Sequence, residues 1–153
     1  MSKNIFPFEK PEENSGFLLW QVTMCWQRQM KQALDKLGLT HTQFVLLAAL
    51  QWLSQNQSEV YQIEVAHHAQ VDKMMTSKIV KTLVSKQFVK TQNSKQDKRA
   101  KPLILTAQGN KILQNALTVV KKVDTDFFSS LRSKEAEYQR MMQLLMKNRE
   151  VNC

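Results

Sequence analysis

The chain has 153 residues, with 22 Lys and Arg against 13 Asp and Glu, a formal net charge of +9. At 42% apolar and 23% charged, with three Gly and three Pro, it is one domain's length of globular protein, which excludes disordered, collagenous and linker-dominated chains. Its longest apolar run, Phe44 to Leu50, is too short to span a bilayer, and its start lacks the pattern of a secretory signal. Two cysteines, Cys25 and Cys153, make no disulfide framework, so a cytoplasmic protein with no membrane partner is expected.

Phe17 to Leu37 carries Leu19, Val22, Trp26, Met30, Ala33 and Leu37 at steps of three and four, the spacing of one long amphipathic helix. A second stripe, Leu18, Val22 and Cys25, widens the apolar face and suggests a partner surface beside the core. Gly38 follows where a left-handed residue suits a helix end. Thr40 and Gln43 read as a capping box for a second helix over Phe44 to Leu53. Val60 and Tyr61 suit a very short strand, and Ile63 to Ala69 a short third helix. Asp72 is a good N-cap for a fourth helix over Lys73 to Lys86, with Met75, Ile79, Val80, Leu83 and Val84 expected inward. Two short helices joined by a tight turn are the helix-turn-helix plan. Phe88 to Thr91 and Leu103 to Leu105 read as two strands around a polar, basic tip, a β-hairpin. Thr106 caps a fifth helix reaching about Leu131. Ser133 opens a last helix with Glu135 and Glu137 in its first turn and Lys147 and Arg149 in its last, an order that suits the helix dipole.

The charge is concentrated. From Asp72 to Lys101 stand nine cations (Lys73, Lys78, Lys81, Lys86, Lys90, Lys95, Lys98, Arg99 and Lys101) against Asp72 and Asp97, a net +7 of the total +9. Such a footprint suits a polyanion, because neutralised phosphates release condensed counterions. In the fourth helix, Thr76, Ser77, Lys78, Lys81 and Thr82 are expected on the outward side, where small polar and basic residues meet phosphates and base edges. On the hairpin tip, Lys95, Lys98, Arg99 and Lys101 suit a narrow minor groove, with Asp97 bracing the turn. The rival reading is a solvated lysine-rich face.

Asp97-Lys-Arg99-Ala100 followed by Leu105-Thr106-Ala-Gln-Gly109 resembles the wing signature of the MarR family, and the order of elements over Phe17 to Lys147 is similar to that family's. The resemblance implies a mainly α chain with a small β-hairpin wing, a winged helix-turn-helix over residues 40–105 and a helical dimerisation region over 17–37 and 106–149, within a single domain over 1–153. It implies a cytoplasmic homodimer that binds double-stranded DNA at a pseudo-palindromic site, usually as a repressor released by a small molecule or oxidant. By position, Thr76, Ser77, Lys78, Lys81 and Thr82 would face the groove and Arg99 would be the minor-groove arginine. Gln70 and Gln87 stand where the family often has glycine.

The resemblance also implies a small aromatic effector in the crevice between the dimerisation helices and the winged region, with Trp20, Met24, His41 and Phe44 on segments that would line it. Core or dimer-interface packing is the competing account of these four. Cys25, mid-helix on an apolar stripe, reads as buried and inert; a thiol redox sensor using Cys25 is the alternative. His67 and His68 project about 100° apart on a helix and make no ligand pair, so no metal and no cofactor is expected. The chain carries no Gly-rich phosphate loop, paired-cysteine motif or nucleophile elbow, so no enzyme is expected. A winged-helix interaction module that has lost DNA binding is the remaining rival.

Overall fold

The computed structural model describes residues 5–147, so Arg149 and Cys153 lie outside the described residues. Six α-helices and one hairpin follow in order: α1 (Ser15–Asp35), α2 (His41–Ser54), α3 (Gln62–Ala69), α4 (Lys73–Ser85), β1 (Val89–Thr91), β2 (Leu103–Leu105), α5 (Ala107–Phe128) and α6 (Glu135–Lys147).

Local chemistry sets most boundaries. Four helices start on side-chain caps that satisfy otherwise orphaned amides. Asn14 accepts from the Phe17 amide at 2.7 Å, Asp72 from Met75 at 2.9 Å and Thr106 from Gly109 at 2.9 Å. Thr40 and Gln43 form the reciprocal box at 3.1 Å in each direction. The turns after three helices each contain a left-handed residue: Gly38 (φ 67°) after α1, Gln70 (φ 53°) after α3 and Gln87 (φ 61°) after α4. Glutamine in this region costs roughly 1–2 kcal/mol more than glycine.

The core lies where α2 is enclosed by the other elements. Leu46, Leu47 and Leu50 of α2 are at most 2% exposed and pack with Leu34, Val65, Leu83 and Leu113 of the surrounding helices. The hairpin closes one side, antiparallel, with Val89 opposite Leu105, Lys90 opposite Ile104 and Thr91 opposite Leu103. Val60 and Tyr61 form no strand; the predicted third strand reduces to one bond, Leu103 N–H to Val60 O at 2.8 Å. α5 stops at Phe128, short of Leu131, and a 3-10 segment over Ser129–Lys134 turns the chain into α6, with Arg132 at φ 50° and ψ −124°.

A second region is open. α1 packs along α5, and Met30 and Leu34 are its buried residues. Yet Leu19 (54%) and Trp20 (63%) of α1, and Leu144 (62%) and Leu145 (61%) of α6, stand in solvent. α6 buries no residue at all within the chain. Cys25 is exposed, not buried as its apolar neighbours predict, because it continues the uncovered stripe of Leu18 and Val22.

Candidate nucleic-acid interface

α4 has one inward and one outward line. Thr76, Val80 and Leu83 face the core at 0%, 6% and 1% exposure. Residues 74, 78, 81 and 85, spaced four, three and four apart, lie opposite; Met74, Lys78, Lys81 and Ser85 are all exposed. The expectation for Thr76 is therefore corrected. It sits on the line of Val80 and Leu83, with its hydroxyl 3.5 Å from Val71 O, and does not reach the outward face. Ser77 is half-buried on the flank. Thr82 is exposed, its hydroxyl donating to Lys78 O at 3.2 Å. Met75 (49%) and Val84 (40%), both expected inward, are half-exposed on opposite flanks.

Lys86 differs from the other cations. Its Nζ donates to Gly38 O at 2.7 Å, tying the end of α4 to the turn between α1 and α2. Among the described residues, none of the nine cations of this window closes an ion pair; the two pairs present are Lys31–Asp35 and Lys122–Asp126.

The wing is held at its root by a group the sequence reading missed. Glu59, between α2 and α3, accepts from the Ser94 hydroxyl at 2.7 Å, from the Lys95 amide at 2.6 Å and from the Tyr61 hydroxyl. Ser94, buried, in turn accepts from the amides of Gln96 (3.0 Å) and Asp97 (2.9 Å). Asp97 accepts from the Arg99 amide at 2.8 Å, and its carbonyl accepts from Ala100 at 3.0 Å. The loop is thus folded on its own backbone, with Lys95, Lys98, Arg99 and Lys101 exposed around it.

The Tyr61 hydroxyl, the Lys95 amide and the Ser94 hydroxyl, in that order, hold the Glu59 carboxyl below its ordinary value. A depressed carboxylate contributes stability that is complete above its ordinary pKa and lost as pH falls through the lowered one. The Lys95 amide resonance should therefore titrate with a midpoint below the ordinary glutamate value, stay flat at neutral pH, and lose this transition in Glu59→Gln. A midpoint at or above the ordinary value would show that the carboxylate is not the anchor.

Of the four residues expected around an effector, His41 and Phe44 stack at 6.4 Å between ring centroids. Met24 is half-buried and Trp20 is exposed, so Trp20 is not enclosed in a pocket of this chain. Trp26 completes the ring cluster instead: it meets His41 edge-on at 5.0 Å, and its Nε1–H donates to Asp124 at 2.8 Å. Burial pushes the His41 pKa down against the opposing pull of Asp124. Two cavities, of about 630 Å³ and about 460 Å³, open at the junction of α5 with the turn into α6. None of the four expected residues lines either.

A hairpin following a helix-turn-helix, with an unpaired cationic row on the second helix and on the hairpin tip, defines a winged-helix DNA-binding regulator. The family model of the ArnR1-like winged-helix domain matches residues 35–124. The chain is 38% identical over 138 residues to the HTH-type transcriptional regulator YdcH of Bacillus subtilis, covering 90% of this chain and 94% of that one. It is 30% identical over 131 residues to the HTH-type transcriptional repressor Rv2887 of Mycobacterium tuberculosis, covering 85% and 91%. Rv2887, a MarR family protein, has been solved in complex with DNA (TM-score 0.67, 28% identity, 86% and 97% covered) and with salicylic acid (TM-score 0.65, 29% identity, 86% and 96% covered). The chain belongs to the MarR family of winged-helix transcriptional regulators.

Proposed function

We propose that the chain acts as a cytoplasmic homodimeric repressor, without enzymatic activity, that binds a pseudo-palindromic duplex and is released by a small aromatic acid. Residues 17–37 and 106–149 form the dimerisation region and residues 40–105 the reading unit. The outward row of α4 enters the major groove, and the wing over residues 92–101 enters the minor groove. The observation that carries this reading is the cationic surface itself: Lys78 and Lys81 project from α4, Lys95, Lys98, Arg99 and Lys101 surround the anchored wing, and none closes an ion pair among the described residues.

A second copy supports the exposed apolar residues of α1 and α6, which a lone chain leaves in water. Two reading units then face half-sites roughly 34 Å apart. The DNA and salicylic acid complexes of Rv2887 support the duplex and the aromatic acid as ligands. The cluster of Trp26, His41 and Phe44, where α1, α2 and α5 meet, offers apolar ring faces beside a polar edge.

Titration of labelled duplex at several salt concentrations tests the reading. Six to ten phosphate contacts give a slope of log K against log[salt] of about −5 to −9. A flat plot would sink the groove-and-phosphate arrangement and leave the interaction-module reading in its place.

A further inference from the structure

Phosphate contacts by lysine hold a protein on DNA without reading its sequence. Lysine and hydroxyl side chains can also reach polar base edges, but the outward line of α4 has one apolar member, which can do neither. Met74 is 85% exposed, which no large apolar residue of any helix or strand exceeds among the described residues. It is the second residue of α4 and heads the line that continues through Lys78, Lys81 and Ser85.

Its place in the helix is fixed. Asp72 caps α4 through the Met75 amide at 2.9 Å, and Thr76, Val80 and Leu83 lock the opposite side into the core. The core has no use for the Met74 side chain in this register. In helix-turn-helix docking, the first residues of the second helix are those that meet base edges. An unbranched thioether offers no strong hydrogen bond, so purine N7 and O6 and the exocyclic amines are poor partners. The one apolar group on the major-groove edge of a base pair is the thymine C5 methyl.

We propose that Met74 is a specificity-determining residue of the DNA site, packing its side chain against a thymine methyl in each half-site. The proposal rests on the DNA-binding reading given above. Met75, turned about 100° from Met74 and half-exposed, flanks this contact on the side of Thr82.

Duplexes enriched from a randomised pool by the full chain supply the probe. Each thymine of the enriched half-site is then replaced by deoxyuridine, which removes the methyl and nothing else. Wild-type protein should lose about fourfold in affinity for each such thymine replaced, one position per half-site, the transfer value of one buried methyl-sized group. Met74→Ala should bind the thymine and uracil duplexes equally, and Met74→Leu should keep the discrimination. Half-sites without thymine, no loss at any thymine, or a loss that persists in Met74→Ala would overturn the proposal while leaving salt-dependent binding intact. Failure to enrich any sequence, with affinity indifferent to salt, would overturn the DNA-binding reading and this inference with it.

Discussion

Arg99→Ala should weaken duplex binding at least about 30-fold, taking a lower value of roughly 1 kcal/mol for each of two wings in a dimer. The size of the effect follows from how the side chain is presented. Asp97 holds the Arg99 amide at 2.8 Å, and Ser94 and Glu59 hold the preceding residues, so the backbone is ordered before DNA arrives. Little conformational entropy is then left to lose at that point of the wing on binding. A narrow minor groove concentrates negative potential, and a planar guanidinium fits there better than a hydrated ammonium. The salt slope should also become shallower by roughly 2, the share of two phosphate-equivalent charges. Fluorescence anisotropy at fixed salt measures the first effect and a salt series the second. Unchanged affinity would remove the wing from the interface.

Gly109→Ala should destabilise the fold by about 3 kcal/mol, at the upper end of ordinary overpacking costs. A Cβ at this position would lie 1.9 Å from Phe88 O and 2.8 Å from Phe88 C, both backbone atoms. The closeness has a purpose. Thr106 donates its amide to Phe88 O at 3.0 Å and its hydroxyl to Gln87 O at 2.6 Å, pulling the start of α5 onto the exit of α4. A methyl group would have to separate the two backbones and break that latch. For a chain of this length the midpoint of thermal unfolding should fall by roughly 6–12 °C, measured at one protomer concentration because association shifts it. Gly38→Ala should cost less, about 1–2 kcal/mol, since only its left-handed backbone resists the change and nothing lies near the added atom. Equal effects at the two positions would contradict the assignment of Gly109 to close approach.

The element order was legible because its signals are local. Caps at Thr40, Asp72 and Thr106, a left-handed stop at Gly38 and the apolar period of each helix all sit within a few residues of what they determine. Thr76 was misjudged because residue type was weighed above angle: a small hydroxyl suggested the surface, while its spacing to Val80 and Leu83 put it in the core. The anchor of the wing was not legible, because Glu59 and Ser94 are 35 positions apart and neither carries a local mark of the other. Trp26 and Asp124, 98 positions apart, met for the same reason unseen. Cys25 and Trp20 were placed wrongly or loosely because one chain's periodicity shows that a stripe is apolar and not whether the chain itself covers it.

The bond from Lys86 to Gly38 joins two parts of the chain with different proposed tasks. It fastens the end of α4 to the corner at which α1 ends. In the proposed dimer, this bond couples the end of α4 to the end of α1 on both sides of the two-fold axis. The two α4 helices must match the repeat of the double helix together.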